Sequence, residues 1–259
     1  MKLDAEIALA HRLADAAGAA IRPHFRAAGF ERKGDSTPVT VADRAAESAM
    51  RAIIAAEWPD DGIIGEEFGV TEGTSGRSWV LDPIDGTTGF VAGRALFGTL
   101  IALVVDGFPV LGVIDQPIQR ERWLGVIGRP TLFNGAEVRT RACSALAEAA
   151  IATTGPHYFS AHDGEHFMAL AARTDHKRMV MGGDCYNYAM LASGHLDVVC
   201  ESNLKLYDWA ALVPVVEGAG GVMADWNGDP LRQGSDGHVL ALGDAARLDD
   251  VVEALACGH

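Results

Sequence analysis

The stretch Trp79-Val-Leu-Asp-Pro-Ile-Asp-Gly-Thr-Thr-Gly-Phe90 sets two carboxylates, Asp82 and Asp85, three residues apart across a proline and just ahead of a glycine. If a hydrophobic strand ends in Asp82, Pro83 forces a turn and Gly86-Thr87 opens a helix, both carboxylates converge on one point, with the Ile84 carbonyl facing it too. Hard oxygen donors of this kind suit Mg2+. The backbone N–H groups of Gly86 and Thr87 at a helix start would make an anion site beside the metal. Every residue of Asp-Pro-x-Asp-Gly is also turn-favoured, so a plain turn explains the segment equally well when it stands alone.

Three further segments carry acids at the ends of apolar runs. Gly65-Glu66-Glu67 follows the apolar segment GIIG, a candidate ligand position where a glutamate pair is otherwise a solvated surface feature. Tyr207-Asp208-Trp209 opens an apolar helix that runs to the glycine-rich Glu217-Gly-Ala-Gly-Gly221, and Asp208 there doubles as a candidate helix cap. Pro38-Val-Thr-Val-Ala-Asp43 has the same cap interpretation.

In their order, these four segments resemble the signatures of the inositol monophosphatase superfamily of metal-dependent phosphatases: a GEE segment, WxxDPIDGTxxF, and a WD- or YD-containing helix leading to an AGG turn. The resemblance spans roughly residues 33 to 231. Six fixed positions such as DPIDGT recur by chance with a probability on the order of 10⁻⁸ per start point, at about one in twenty per residue.

The resemblance implies an α/β fold with an α+β N-terminal half, an αβαβα layered sandwich with the metal site where the halves meet. It implies that Glu66, Asp82 and the Ile84 carbonyl hold a first Mg2+, that Asp82, Asp85 and Asp208 hold a second, and that a weaker third ion sits near Glu66. Asp43 and the Thr87 hydroxyl match the family pair that orients and deprotonates the attacking water. The Gly86 and Thr87 amides would hold phosphate oxygens, and Lys33 matches a lysine of the family's mobile loop, although it reads equally as a solvated surface lysine. Homodimerisation is a family expectation.

Within the superfamily, GTLIAL after the signature, GVIDQPIQRERW and above all GGDCYNYAMLASGHLDVVCESNLKLYDWAALVPVVEGAGG look most similar to histidinol-phosphate phosphatases. Asp184 falls where the inositol enzymes carry a small residue, and Glu201 on their sugar-hydroxyl-binding glutamate. Two acids facing the leaving group would suit a substrate bearing an amine and an imidazole. Asp184 also reads as a cap of the helix CYNYAMLA and Glu201 as an exposed strand-end acid. Gly89, where serine is usual, and Trp209 after Asp208 depart from the histidinol pattern without touching a proposed ligand. Phosphatases of inositol, sugar or nucleotide monophosphates, and non-catalytic regulators that bind a protein, are the competing readings.

The elements that must position these residues follow from periodicity. Apolar residues at helical spacing predict a first helix over 4–28, and Thr40 with Asp43 resembles a capping box opening a second that Pro59 closes. GDSTPVT (34–40) reads as loop. GIIG, SWVLD, GTLIALVV, PVLGVI and ERWLGVI read as strands of one sheet, with a hairpin at Asp106-Gly107. After about residue 145, strands AAIATT, KRMVMG, LDVVCES, GVMADW and HVLALG alternate with helices around 161–173, 184–193, 207–218 and 245–256. A boundary near Arg141 therefore separates a 1–141 unit from a 142–259 unit.

Composition narrows the function classes. The 259 residues are 49% hydrophobic and 22% charged, enough for a sizeable core, and no apolar run approaches a membrane span. Cys143, Cys185, Cys200 and Cys257 are scattered, with no CxxC pair and no histidine at metal spacing, which reads as reduced thiols in a cytoplasmic protein without a zinc site. A formal charge of −14 argues against nucleic-acid binding. An acidic protein that takes a small anionic phosphate monoester needs cations in its site, and bound metal supplies them.

Overall fold

The computed structural model of the chain describes residues 3–27, 31–32, 38–39 and 41–256. Lys33, most of GDSTPVT including Thr40, and Cys257 lie outside them.

Two helices, α1 (Asp4–Ile21) and α2 (Val41–Glu57), begin the chain, with the short antiparallel strands β1 (Glu31–Arg32) and β2 (Pro38–Val39) between them. Their apolar residues recur every fourth position, Leu9, Leu13, Ala17 and Ile21 on α1 and Ala42, Ala46, Met50 and Ile54 on α2, which gives each one buried face. The first helix ends at Ile21 and continues only as a single tight turn through His24; Pro23 and the extended backbone of Phe25 stop it short of residue 28.

An eight-stranded sheet follows, built from β3 (Gly62–Gly65), β4 (Gly69–Thr71), β5 (Arg77–Asp85), β6 (Gly98–Val105), β7 (Phe108–Gln116), β8 (Glu121–Val126), β9 (Leu132–Phe133) and β10 (Ala136–Glu137), with the short α3 (Thr87–Val91) after β5. Its order is β10-β9-β8-β7-β6-β5-β3-β4, and only β3 and β5 run parallel. Asp106 and Gly107, both at positive φ, make the expected hairpin.

The remainder winds β11 (Ile151–Thr153), α4 (Ala161–Ala172), β12 (Val180–Met181), α5 (Cys185–Ala192), β13 (Val198–Glu201), α6 (Leu206–Trp209), α7 (Leu212–Gly218), β14 (Val222–Ala224), β15 (Val239–Leu242) and α8 (Leu248–Ala256). The second sheet has the order β12-β11-β13-β15-β14, parallel around β11 and antiparallel around β15. The helix expected over 207–218 is broken between Trp209 and Leu212. Pro214 has no N–H to give the Ala210 carbonyl, so the helical ladder cannot run through that step.

Strand alternation sorts the core into layers. Trp79, Leu81, Ile101, Leu103, Leu111 and Val113 face α1 and α2, whereas Val80, Leu100, Ala102 and Ile114, one residue out of phase, face α5 and α7. Ala152, Val199 and Ala241 close that middle layer from the second sheet, and Ile151, Val198, Leu240 and Leu242 turn outward to α4 and α8. The result is the expected αβαβα sandwich. Each fully buried aliphatic side chain contributes about 1.5–3 kcal/mol.

The middle layer is close-packed. A Cβ at Gly112 would sit 2.0 Å from the Ala211 carbonyl oxygen and one at Gly125 2.2 Å from Pro214. These glycines let the backbone after Asp208 lie flat on the first sheet, and a side chain at either would push it away.

Candidate metal and phosphate site

Strand β5 does not end at Asp82. It continues to Asp85 with a register shift against β6 between Asp82 and Asp85, so Pro83 creates a bulge within the strand rather than the expected turn. Proline is tolerated because a bulge leaves its missing N–H unused. Thr99 Oγ1 donates to the Pro83 carbonyl at 2.8 Å and pins the bulge, and the Ile84 N–H donates to Asp82 Oδ1 at 3.1 Å.

The bulge brings both carboxylates to one side. Oxygens of Asp82, Asp85 and Asp208 all lie within 4.8 Å of one another. Asp208 is the third helical residue of α6, and its Oδ2 accepts the Lys205 N–H at 2.6 Å. Cap and ligand readings are thus compatible, since a carboxylate has about four acceptor sites and this bond uses one. Asp85 Oδ2 accepts the Cys185 N–H at 2.6 Å, a bond between residues 100 apart that ties the end of β5 to the start of α5.

A second acidic group, Asp43, Glu66 and Glu67, also lies within 4.8 Å, next to the first. Burial, and then the charges of Glu66, Asp85, Asp208 and Asp43, push Asp82 well above the usual carboxylate range. Asp85 is raised the same way by burial, Asp184 and Asp208. Burial and Glu66 push Asp208 up to about 7 against the pull of the Lys205 N–H. Repulsion of this size is what divalent cations relieve, and the donors are hard oxygens in the number Mg2+ accepts. The donor set therefore fits the ion that the sequence implies.

The sequence reading named Glu66 and passed over the side chains that fix it. Glu47, fully buried on α2, accepts the Glu67 N–H at 2.8 Å and the Phe68 N–H at 3.2 Å and is paired with Arg51 at 2.7 Å. This clamp holds the loop that presents Glu66. Its signal was faint: Glu47 looks like any helix-surface acid paired four residues on with an arginine.

A cavity of about 450 Å³ opens beside the cluster, lined by Glu66, Asp85 and Asp208 and also by Asp184, Tyr188 and Glu201. Asp43 and Asp82, 1% and 2% exposed, lie beneath its surface. Gly86 and Thr87 line it, and Thr87 Oγ1 donates to the Ile84 carbonyl at 3.0 Å.

Asp184 stands at the start of α5 but makes no side-chain cap bond, so it is not the helix cap the sequence allowed. Its backbone, at φ 46° and ψ −132°, is in a region that glycine favours. Its carboxyl packs against Gly86, where a Cβ would come within 3.0 Å of Oδ2. Burial raises it to about 6, partly opposed by the Gly183 N–H, Arg94 and His157. Glu201 is not exposed at a strand end; it is 2% exposed and accepts the Thr154 N–H at 2.5 Å and the Thr153 hydroxyl at 3.2 Å. Burial pushes it up to about 7. Tyr188, 2% exposed, has a hydroxyl without a hydrogen-bond partner among the described residues, a feature no sequence pattern marks. Among the described residues, Cys143, Cys185 and Cys200 are free thiols and buried, as expected. No described helix is long and apolar enough to cross a membrane.

Comparison with known proteins matches residues 2–255 to the model of the inositol monophosphatase family. A bifunctional phosphatase, the chloroplastic IMPL2 of Arabidopsis thaliana, is 49% identical over 98% of this chain and 76% of its own length. A histidinol-phosphatase of Chlorobaculum parvum is 36% identical over 98% of both chains. The solved structure of an inositol monophosphatase from Zymomonas mobilis is 51% identical, covers 99% of each chain and superposes with a TM-score of 0.91.

Proposed function

The chain belongs to the inositol monophosphatase family of metal-dependent phosphatases, which act on small phosphate monoesters, and on that premise we propose that it hydrolyses L-histidinol phosphate to L-histidinol and inorganic phosphate. The observation that carries the choice of substrate is a pair of acids, the half-buried Asp184 and the buried Glu201, that line the same cavity as Asp85 and Asp208.

Glu66, Asp82, the Ile84 carbonyl, Asp85 and Asp208 would hold magnesium, which when bound offsets the phosphate charge and makes the attacking water more acidic. The chain's own residues do the rest. Gly86 and Thr87 turn their N–H groups to the phosphate oxygens, and Thr87 Oγ1, held on the Ile84 carbonyl, orients the water. Asp43, buried near Asp82, is the final acceptor of the water proton. Most of the catalysis is positioning and charge neutralisation.

The leaving alcohol decides the substrate. Histidinol carries an ammonium and an imidazole, and its binding relieves the cost of keeping the half-buried Asp184 and the buried Glu201 ionised. Glu201 keeps its geometry through Thr153 and Thr154, which orient it without neutralising it. A second reading, inositol 1-phosphate, is favoured by the likeness to an inositol monophosphatase and by Glu201 as a hydroxyl acceptor, but it gives Asp184 no role.

The test is kcat/KM with saturating magnesium for histidinol phosphate, myo-inositol 1-phosphate and 3′-phosphoadenosine 5′-phosphate. A preference for histidinol phosphate of more than about tenfold is expected, the size that a buried polar contact confers. A smaller preference removes the specific claim and leaves the family activity.

A further inference from the structure

Four side chains beginning next to Glu201 form one hydrogen-bonded chain. Ser202, 3% exposed and lining the cavity, donates its hydroxyl to Asp163 Oδ2 on α4 at 2.7 Å. The other Asp163 oxygen lies 3.2 Å from His238 Nε2, and His238 Nδ1 lies 2.9 Å from Asp236 Oδ2. A neutral imidazole has one N–H and an ionised carboxylate only accepts, so both contacts are bonds only when the ring carries two protons. Burial opposes charge on all three groups. Even so, Ser202, Ser160 and His238 hold Asp163 below its ordinary range, the His238 backbone and ring N–H groups do the same for Asp236, and the two acids raise His238. Asp163 from α4 and Asp236 from its own loop face the ring directly, and Trp226 packs against it with 4.6 Å between centroids and 6.4 Å to His166.

The loop that carries His238 also supports the cavity lining by two other routes. Residues 201–204 are consecutive and all line the cavity. Val239 is the partner of Glu201 in the ladder between β13 and β15, and the Leu204 N–H donates to the Gly237 carbonyl at 3.1 Å. Gly237 lies so close that a Cβ, already strained at φ +96°, would come within 2.4 Å of the Leu204 carbonyl oxygen. Residues 236–239 thus back the segment that presents Glu201, and the bond from Ser202 to Asp163 ties that segment across to α4.

We propose that His238 is a positioning residue: through Asp163 and Ser202 it holds residues 201–204 in the geometry that discriminates between leaving groups. This rests on the reading that Glu201 meets the leaving alcohol. His238 is not one of the residues lining the cavity, so its influence on the ester passes through Ser202.

The test is a double-mutant cycle on the magnesium-saturated enzyme, read as kcat/KM for histidinol phosphate divided by kcat/KM for p-nitrophenyl phosphate. His238→Phe keeps a ring against Trp226 and removes both ring donors, and Ser202→Ala removes the hydroxyl at the other end. Each is expected to lower the ratio about tenfold, and the double variant no more than about twofold beyond the larger single loss, because both cut one chain. Asp163→Asn keeps an acceptor for Ser202 and offers an N–H to a neutral His238. Its ratio is expected to vary less with pH than that of the wild type, which falls as pH rises through the raised pKa of His238. A ratio unchanged in His238→Phe, as equal losses for both esters would give, or losses that multiply in the double variant, would overturn the proposal. If His238→Phe does not fold, Asp163→Asn decides: a ratio with the same pH dependence as the wild type would overturn it. If the wild type does not prefer histidinol phosphate to myo-inositol 1-phosphate, the substrate reading fails by itself, and the ratio is taken for the ester the wild type prefers, with the same outcomes for His238.

Discussion

Two sets of acids meet at the cavity, Asp82, Asp85 and Asp208 on one hand and Asp184 and Glu201 on the other, and they differ in how crowded their charges are. In the first set, three carboxylates share a space within 4.8 Å, and Asp82 and Asp85 are each raised partly by the other acids. Burial is the largest cause at all five acids; what differs is that Asp82 meets the charges of four other acids, whereas Asp184 is eased by the Gly183 N–H, Arg94 and His157, and Glu201 by the Thr153 and Thr154 donors. Crowded acids require a resident cation. Less crowded acids can wait for a transient one, which is what a cationic leaving group is.

The sharpest way to break this contrast is Asp82→Asn. It keeps the size and the acceptor for the Ile84 N–H but removes the charge at the centre of the cluster, and kcat is expected to fall by about 10³-fold for every phosphate ester alike. Steady-state kinetics with histidinol phosphate and p-nitrophenyl phosphate checks this; retained turnover of either would remove the metal role. Glu201→Gln in the other set keeps an acceptor for the Thr154 N–H. It is expected to lower kcat/KM for histidinol phosphate by about 10- to 100-fold, the worth of a charged hydrogen bond, and to leave p-nitrophenyl phosphate within about twofold. Equal losses for both esters would mean that the two sets do not divide their work.

Asp184→Gly sharpens the comparison through stability. Glycine relieves a backbone at φ 46°, so a gain of about 1 kcal/mol, read as a rise in Tm, is expected together with a loss of histidinol phosphate activity. A variant that is no more stable would show that the backbone there is unstrained.

A further expected effect is on pH. Asp208 and Glu201 near 7 and Asp184 near 6 are raised in the folded chain, so without metal they stabilise it below the ordinary carboxylate pKa, and that contribution is lost as pH rises through 6 to 7. The metal-free Tm is expected to fall by about 5 °C between pH 5.5 and 8, and magnesium to raise Tm more at pH 8 than at pH 5.5. A metal-free Tm that rises with pH over this range would contradict the assignment.

The same contrast governs what could be read from the sequence. Asp82 and Asp85 are close in sequence and sit in a rigid local pattern, so their partnership was legible, although the bulge at Pro83 was not: a proline between two acids reads as a turn unless the partner strand is known. Asp208 was legible through its helix start, and Pro214, which has no N–H for the Ala210 carbonyl, was a signal for the break before Leu212 that the helix expected over 207–218 passed over. The layers were legible because Val80 and its neighbours Trp79 and Leu81 alternate in the right phase. The burial of Glu201, the unusual backbone of Asp184 and the Cys185 N–H bond to Asp85 depend on contacts between distant segments, which local pattern does not encode. The Glu47 clamp was hidden for another reason: it looks like an ordinary feature of a solvated helix.

The choice of substrate stands on Asp184 and Glu201 recognising positive charge on the leaving group. It is tested most directly by comparing kcat/KM for histidinol phosphate with that for its deaminated analogue, 3-(imidazol-4-yl)propyl phosphate, which differs by one ammonium. At least about a tenfold advantage is expected for the ammonium-bearing ester, and a smaller one in Glu201→Gln. Equal values for the two esters in the wild type would contradict it.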